Sequence, residues 1–204
     1  MKVKIIKSVF YPILAIVVLS GCATTKVRMD YRSSKYEVLE NASVILVDEV
    51  NDHRKHDQCW LGAIRGGYGN PLKTLKTPKP VKDVVKDTFI DALKNRGLLA
   101  SGNRIKYYLN VDVNQFDCNQ YIRKEAHVKL SVKLIDAQNN NVVFSDFSSV
   151  DNVEGSVFSL KTGIFASTET LRKLAEKTLT QAIDEILNKR AFRDVIKKSL
   201  NMDG

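Results

Sequence analysis

An α+β domain in the order β-α-β-β-β-α is predicted by three features of the sequence. Apolar residues recur at three and four positions over 81–96 and again over 168–188, as on one face of a helix. Between these stretches, apolar and polar residues alternate with period two, as in strands with one buried face. Clustering of the strands between the helices argues for an antiparallel meander, with the two long helices packed on one face. The composition supports a core: 204 residues, 44% hydrophobic and 27% charged. Ten glycines and four prolines exclude collagen-like and Pro/Gly-rich low-complexity chains.

Along the chain, Lys2, Lys4 and Lys7 form a basic start, and Val9 to Leu19 is an apolar run broken only by Tyr11 and Pro12. The run fits the roughly 7–15 residues of a signal-peptide core and falls short of the ~20 that span a bilayer. It ends in Leu19-Ser20-Gly21-Cys22. With small residues before a cysteine, the segment resembles a bacterial lipoprotein signal. That resemblance implies acyl chains such as palmitate on Cys22, cleavage before it, and acylation of the new amino terminus. Two or three chains hold a protein to a membrane where one is marginal. Ala23 stands where similar lipoproteins retained in the inner membrane carry aspartate. The implied address is the outer membrane, with the domain facing the periplasm. Residues 1–21 thus read as a signal peptide, and 22–40 as a lipidated cysteine with a flexible polar tether. Residues 41–204 read as a single domain.

Val44-Ile45-Leu46-Val47 is a short continuous run and reads as a strand buried on both faces. Residues 51–77, dense in turn formers at Gly66-Gly67-Tyr68-Gly69-Asn70-Pro71, read as one long loop. Val81, Val84, Val85, Phe89, Ala92 and Leu93 give the first helix, opened near Pro80 and closed by Gly97. Ile105 to Val113, Ala126 to Leu134 and Val142 to Val150 give three strands, the last two joined by an Asp/Asn-rich turn at 136–141. Leu171, Leu174, Leu179, Ile183 and Ile186 give the second helix, with Ser167 or Thr168 as its cap. Asn188-Lys189-Arg190 interrupts it, and Phe192, Val195, Ile196 and Leu200 suggest a short last helix.

The candidate chemistry is sparse. Cys59 and Cys118 remain once Cys22 is acylated, and an even pair in an oxidising compartment points to a disulfide. His53, His56 and Cys59 are spaced three apart, and with Cys118 they form a weak zinc set. No helix is evident to aim them together, so no metal is expected. His127 sits in an alternating strand, facing solvent or an edge. The net charge is +9. Arg65, Tyr68, Lys73 and Lys76 in the long loop are the candidate binding residues; the charge reads first as a solvated basic loop and second as a face toward phospholipid or peptidoglycan. The lipoprotein-like signal argues against nucleic acid as the target of this charge. There is no Gly-x-Ser-x-Gly elbow, His-Glu-x-x-His or P-loop, so neither catalysis nor a cofactor beyond the lipid is expected.

Asn152-Val153-Glu154-Gly155-Ser156-Val157-Phe158 leads into the second helix, and the tail runs Phe192-Arg193-Asp194-Val195-Ile196-Lys197-Lys198. Together with a helix ending at Arg96-Gly97, these resemble the YajG-type lipoproteins over most of residues 43–199. The Cys59/Cys118 pair and the glycine-rich loop depart from that pattern. The resemblance implies a small outer-membrane lipoprotein without assigned catalytic residues. The function expected is that of a non-enzymatic accessory module, held to the membrane by its acyl chains. It would bind an envelope protein or a second copy of itself. The alternative is a carrier of lipid or another apolar ligand, with a cavity between helices and sheet.

Overall fold

The computed structural model describes residues 23–33, 36–39, 42–102, 104–155 and 167–201. The expected signal peptide, Cys22, and Ser156-Val157-Phe158 lie outside them. One mixed sheet of seven strands carries three helices. The strands are β1 (Ala23–Lys26), β2 (Ile45–Asp52), β3 (Trp60–Arg65), β4 (Pro71–Lys76), β5 (Tyr107–Gln120), β6 (Lys124–Asp136) and β7 (Val142–Glu154). The helices are α1 (Val81–Asn95), α2 (Thr168–Leu187) and α3 (Arg190–Asn201).

The antiparallel meander holds for β5-β6-β7, where short turns permit nothing else. The rest of the sheet departs from it. β2 and β3 both run parallel to β5, and β1 runs parallel to β4. The helix α1 lies between β4 and β5 in the chain and makes the crossover that parallel pairing needs. β2 and β3 share one lane beside β5: β2 covers Tyr107 to Val113, and β3 covers Cys118 to Gln120. The residues between them leave the lane and return to it.

The expected long loop at 51–77 instead contains the hairpin β3-β4. Leu61, Ala63, Ile64 and Leu75 are buried, and the glycines close the turn, with Gly66 N donating to Asn70 O at 2.9 Å. The turn residues were a local punctuation, read too broadly as one irregular segment. Gly62 is required by packing. A Cβ there would sit 1.8 Å from the Cys118 carbonyl oxygen on the neighbouring strand.

Alternation in β5 buries Tyr107, Leu109, Val111 and Val113, then resumes out of phase at Phe116 and Cys118. A bulge between Val113 and Gln115 supplies the shift. With Val128, Leu130, Val132 and Leu134 of β6, these form one apolar face. The opposite face presents exposed Asn114, Lys129 and Lys133. The helices cover the apolar face: α2 touches β4 to β7, α1 touches β2 and α2, and α3 touches β7 and α2. Their packing on one face is therefore as the periodicity implied. Helix α1 ends in a Schellman motif, with Gly97 at φ 71°. Leu98 N bonds to Leu93 O at 2.8 Å and Gly97 N to Lys94 O at 3.0 Å.

The segment expected to be a flexible tether is folded onto the domain. β1 extends the sheet beyond β4. Val27 and Tyr31 are buried, Asp30 N bonds to Glu176 at 3.0 Å, and Leu39 N bonds to Arg96 O at 3.0 Å. Met29 and Leu39 also pack against the core.

Candidate functional site

Three places gather the polar and exposed residues. The first is one end of the sheet. The β3-β4 turn and the β5-β6 turn meet there, with Tyr121 Oη donating to the Gly67 carbonyl at 2.7 Å. β7 ends beside them, Glu154 in register with Lys124. Ala23 is in register with Lys73, so the chain enters the described structure at this same end. Of the predicted binding residues, Arg65 and Lys73 lie here, and Tyr68 stands fully exposed at the tip. Arg65 donates to Gly69 O at 3.1 Å. Lys76 does not join them: it sits at the far end of β4, 3.5 Å from Asp57. Tyr121 and Ile122, 43% and 48% exposed, were not singled out from the sequence. The signal that would have found them is an aromatic–aliphatic pair in the turn between two alternating strands, where turn-forming polar residues are the norm.

The second place is the strap formed by residues 27–33 and 36–39, where it crosses the helices. Arg96, the C-cap of α1, is buried, with 2% of its side chain exposed. It donates to Tyr31 Oη at 2.6 Å, Ala92 O at 3.1 Å, Asp184 Oδ1 at 2.7 Å and Asn188 Oδ1 at 3.2 Å. Its charge also faces the Tyr31 and Tyr36 rings, 5.7 and 5.1 Å from their centroids. Tyr31 Oη in turn donates to Asp184 Oδ1 at 2.5 Å. Burial, reinforced by that bond to the carboxylate, pushes the Tyr31 hydroxyl up to about 12. Arg32 and Ser33 of the strap and the outer side of α2 line a polar groove of about 780 Å³. Its walls carry Lys173, Glu176, Asp184 and Glu185. Neither this groove nor its lining has the apolar character that a lipid carrier requires.

The third place is the excursion between β2 and β3, which holds His53, His56 and Cys59, with Cys118 on β5 beside it. It does not bring them together. His53 Nε2 pairs with Asp112 Oδ1 at 3.1 Å, and the His56 ring lies on Trp60, centroids 4.1 Å apart. Cys59 and Cys118 are free thiols. Cys118 lies opposite Gly62, three positions past Cys59. Cys59 lies in the turn before β3, and no bond joins the two thiols. Burial pushes the Cys118 thiol far up. Among the described residues no group of three or more His, Cys, Asp or Glu is placed to hold a metal ion. His127 pairs with Asp151 at 2.6 Å across β6 and β7 on the open face.

The residue that organises the excursion is Arg54. All five of its N–H groups are used: Asp52 takes two at 2.9 and 2.8 Å, Trp60 O takes one at 2.8 Å, Phe116 O one at 3.1 Å and Gln58 O one at 3.2 Å. The guanidinium thus fills the gap in the lane beside β5 where neither β2 nor β3 offers a backbone donor. Burial pushes the Asp52 carboxyl up, but the Arg54 bonds outweigh it and hold it below the usual range.

No family model matches the chain, and no curated protein matches it. Among solved structures it is similar to a Xanthomonas campestris protein of the DUF330 family: TM-score 0.57, 19% identity, covering 89% of this chain and 99% of that one. A Neisseria meningitidis lipoprotein gives TM-score 0.32 and 13% identity over 72% of this chain and 99% of that one. A minor lipoprotein of Acinetobacter baumannii gives 0.37 and 12% over 56% and 89%. The Xanthomonas likeness shows a shared fold. At these identities nothing finer passes to this chain. Among the described residues no helix is long and apolar enough to cross a membrane.

Proposed function

We propose that this chain is a lipid-anchored protein of the bacterial envelope that acts as a non-enzymatic accessory module, with Cys22 as the acylated residue. The observation that carries this reading is the junction at Cys22. Leu19-Ser20-Gly21-Cys22 closes an apolar run too short to span a bilayer, and β1 begins at the next residue. Buried ion pairs in the domain join Arg54 to Asp52 and Arg96 to Asp184. That is the arrangement of a scaffold rather than of an acid–base site. The outer membrane, the periplasm-facing domain and the likeness to YajG-type lipoproteins belong to the same proposal. The stretch that carries the likeness ends β7: Asn152 bonds Thr178 and Gln181 on α2, and Glu154 pairs with Lys124 and Lys177.

The test is the mass of the amino-terminal peptide together with membrane fractionation. The expected result is an acylated Cys22 peptide, a protein found with outer-membrane markers, and loss of both on Cys22→Ala. An unmodified peptide, or a variant that stays in membranes, refutes the anchor. Cross-linking in intact envelopes then tests the accessory role. One dominant protein partner, lost with Cys22→Ala, is expected, and recovery of lipid alone would refute it in favour of a carrier.

A further inference from the structure

We infer that the end of the sheet where β1 begins is a membrane-contacting face, seated against phospholipid headgroups. This rests on the lipid-anchor reading above. β1 is parallel to β4, and Ala23 pairs with Lys73 just past the β3-β4 turn. The 22 residues that precede Ala23, including the acylation candidate, therefore leave the sheet at this end and not at the other. β5 has 14 residues, which at about 3.3 Å each separate the two ends by on the order of 40 Å.

The side chains at this end suit an interface between water and lipid. Tyr68 is fully exposed at one turn. Tyr121 and Ile122 project from the next, and Val153 is exposed at the end of β7. Arg65 and Arg123 flank them, each already held by an internal partner, Gly69 O and Glu125. Exposed apolar residues in turns have no role in the core. Tyrosine with arginine beside it is the combination that settles at headgroup depth, rings toward the acyl boundary and cations toward phosphate. The opposite end of the sheet carries the Asp136–Asn141 turn, polar except for Ala137, with aliphatic Val142 and Val143 exposed after it, and β1 does not begin there.

The experiment uses the mature lipoprotein purified from membranes and reconstituted in vesicles of phosphatidylethanolamine and phosphatidylglycerol with nitroxide-labelled acyl chains. Trp60, the single tryptophan, is replaced by Phe. One tryptophan is then introduced as Tyr68→Trp, Ile122→Trp or, at the far end, Val142→Trp. All three positions are exposed, so the fold has no stake in them. Emission at 68 and 122 is expected to fall about twofold and shift to the blue, as for side chains seated several ångströms into the interface, with 142 unchanged. Protein that co-sediments with the vesicles but leaves 68 and 122 unquenched overturns the face and leaves the anchor standing, since this end then meets water or a protein. Equal quenching at 142 also overturns it, because the domain then lies flat. Failure to co-sediment overturns the anchor reading, and this face with it.

Discussion

Replacing Arg96 by methionine removes the charge on which the strap, α1 and α2 converge, and the cost can be worked from the contacts. Removing one partner of a buried ion pair costs about 3–5 kcal/mol, mostly from the charge left behind. Here the group left behind is Asp184, whose side chain keeps 16% of its exposure and one donor, the Tyr31 hydroxyl at 2.5 Å. That places Arg96→Met at the lower end, about 3 kcal/mol. Asp184→Leu leaves the guanidinium, with 2% exposed, and belongs at the upper end, about 4–5 kcal/mol. The double variant orphans no charge and is expected within about 1–2 kcal/mol of the natural protein. The assay is urea unfolding of the detergent-solubilised protein, followed by Trp60 fluorescence. With a slope near 2 kcal/mol/M, the Arg96→Met midpoint falls by about 1.5 M. A double variant as unstable as the sum of the singles would refute the reasoning, because the pair would then be two independent contacts. So would an Arg96→Met loss below about 1 kcal/mol.

Three further outcomes follow from local geometry. Gly62→Ala drives a methyl into the Cys118 carbonyl, a backbone atom that cannot swing away; a loss of about 3 kcal/mol or more is expected in the same urea assay, and a neutral result would show that β3 is not seated against β5 there. Tyr31 has its hydroxyl raised above the ordinary 10.0 to about 12. The stability it contributes is therefore whole below pH about 10 and lost as pH climbs through about 12, so the gap between natural protein and Tyr31→Phe should close over that window; a pH-independent gap contradicts the buried, carboxylate-bonded hydroxyl. Maleimide should modify Cys59 in the folded protein at neutral pH and Cys118 only after unfolding, since Cys118 is buried with its thiol pushed up; two thiols unreactive even when unfolded without reductant would restore the disulfide.

The helices and the meander were legible because their periodicities are long and uninterrupted. Gly97 ended α1 as expected, and Ser167 stands at the N-cap of α2. The mixed sheet was not legible. Pairing of β2 and β3 along one lane depends on Arg54 plugging the gap, and a lone arginine between two histidines carries no such signal. The strap was hidden for a related reason. Tyr31 is one aromatic residue in a polar stretch, and its burial depends on Arg96 and Asp184, far away in the chain. Of the candidate binding residues, Arg65, Tyr68 and Lys73 share an end of the sheet. The turn that completes it, Tyr121-Ile122-Arg123, lies 48 residues beyond Lys73. A hairpin hidden inside an apparent loop could not have announced that meeting.

The strap changes what kind of partner the domain can reach. A free tether over residues 22–40 would let it wander by roughly 20–25 Å from its lipid. Instead the chain is in the sheet from Ala23 and pinned at Asp30, Tyr31 and Glu37, the last to Arg193 of α3 at 3.0 Å. Were Cys22 acylated as proposed, this pinning would mount the domain on the bilayer with little slack. The groove between strap and α2 then points along the membrane or away from it by an amount set by the sheet, not by diffusion of a leash. On that proposal, a partner would have to come to the surface or already be embedded in it. Residues inserted between Cys22 and Ala23 would extend reach and surrender that orientation.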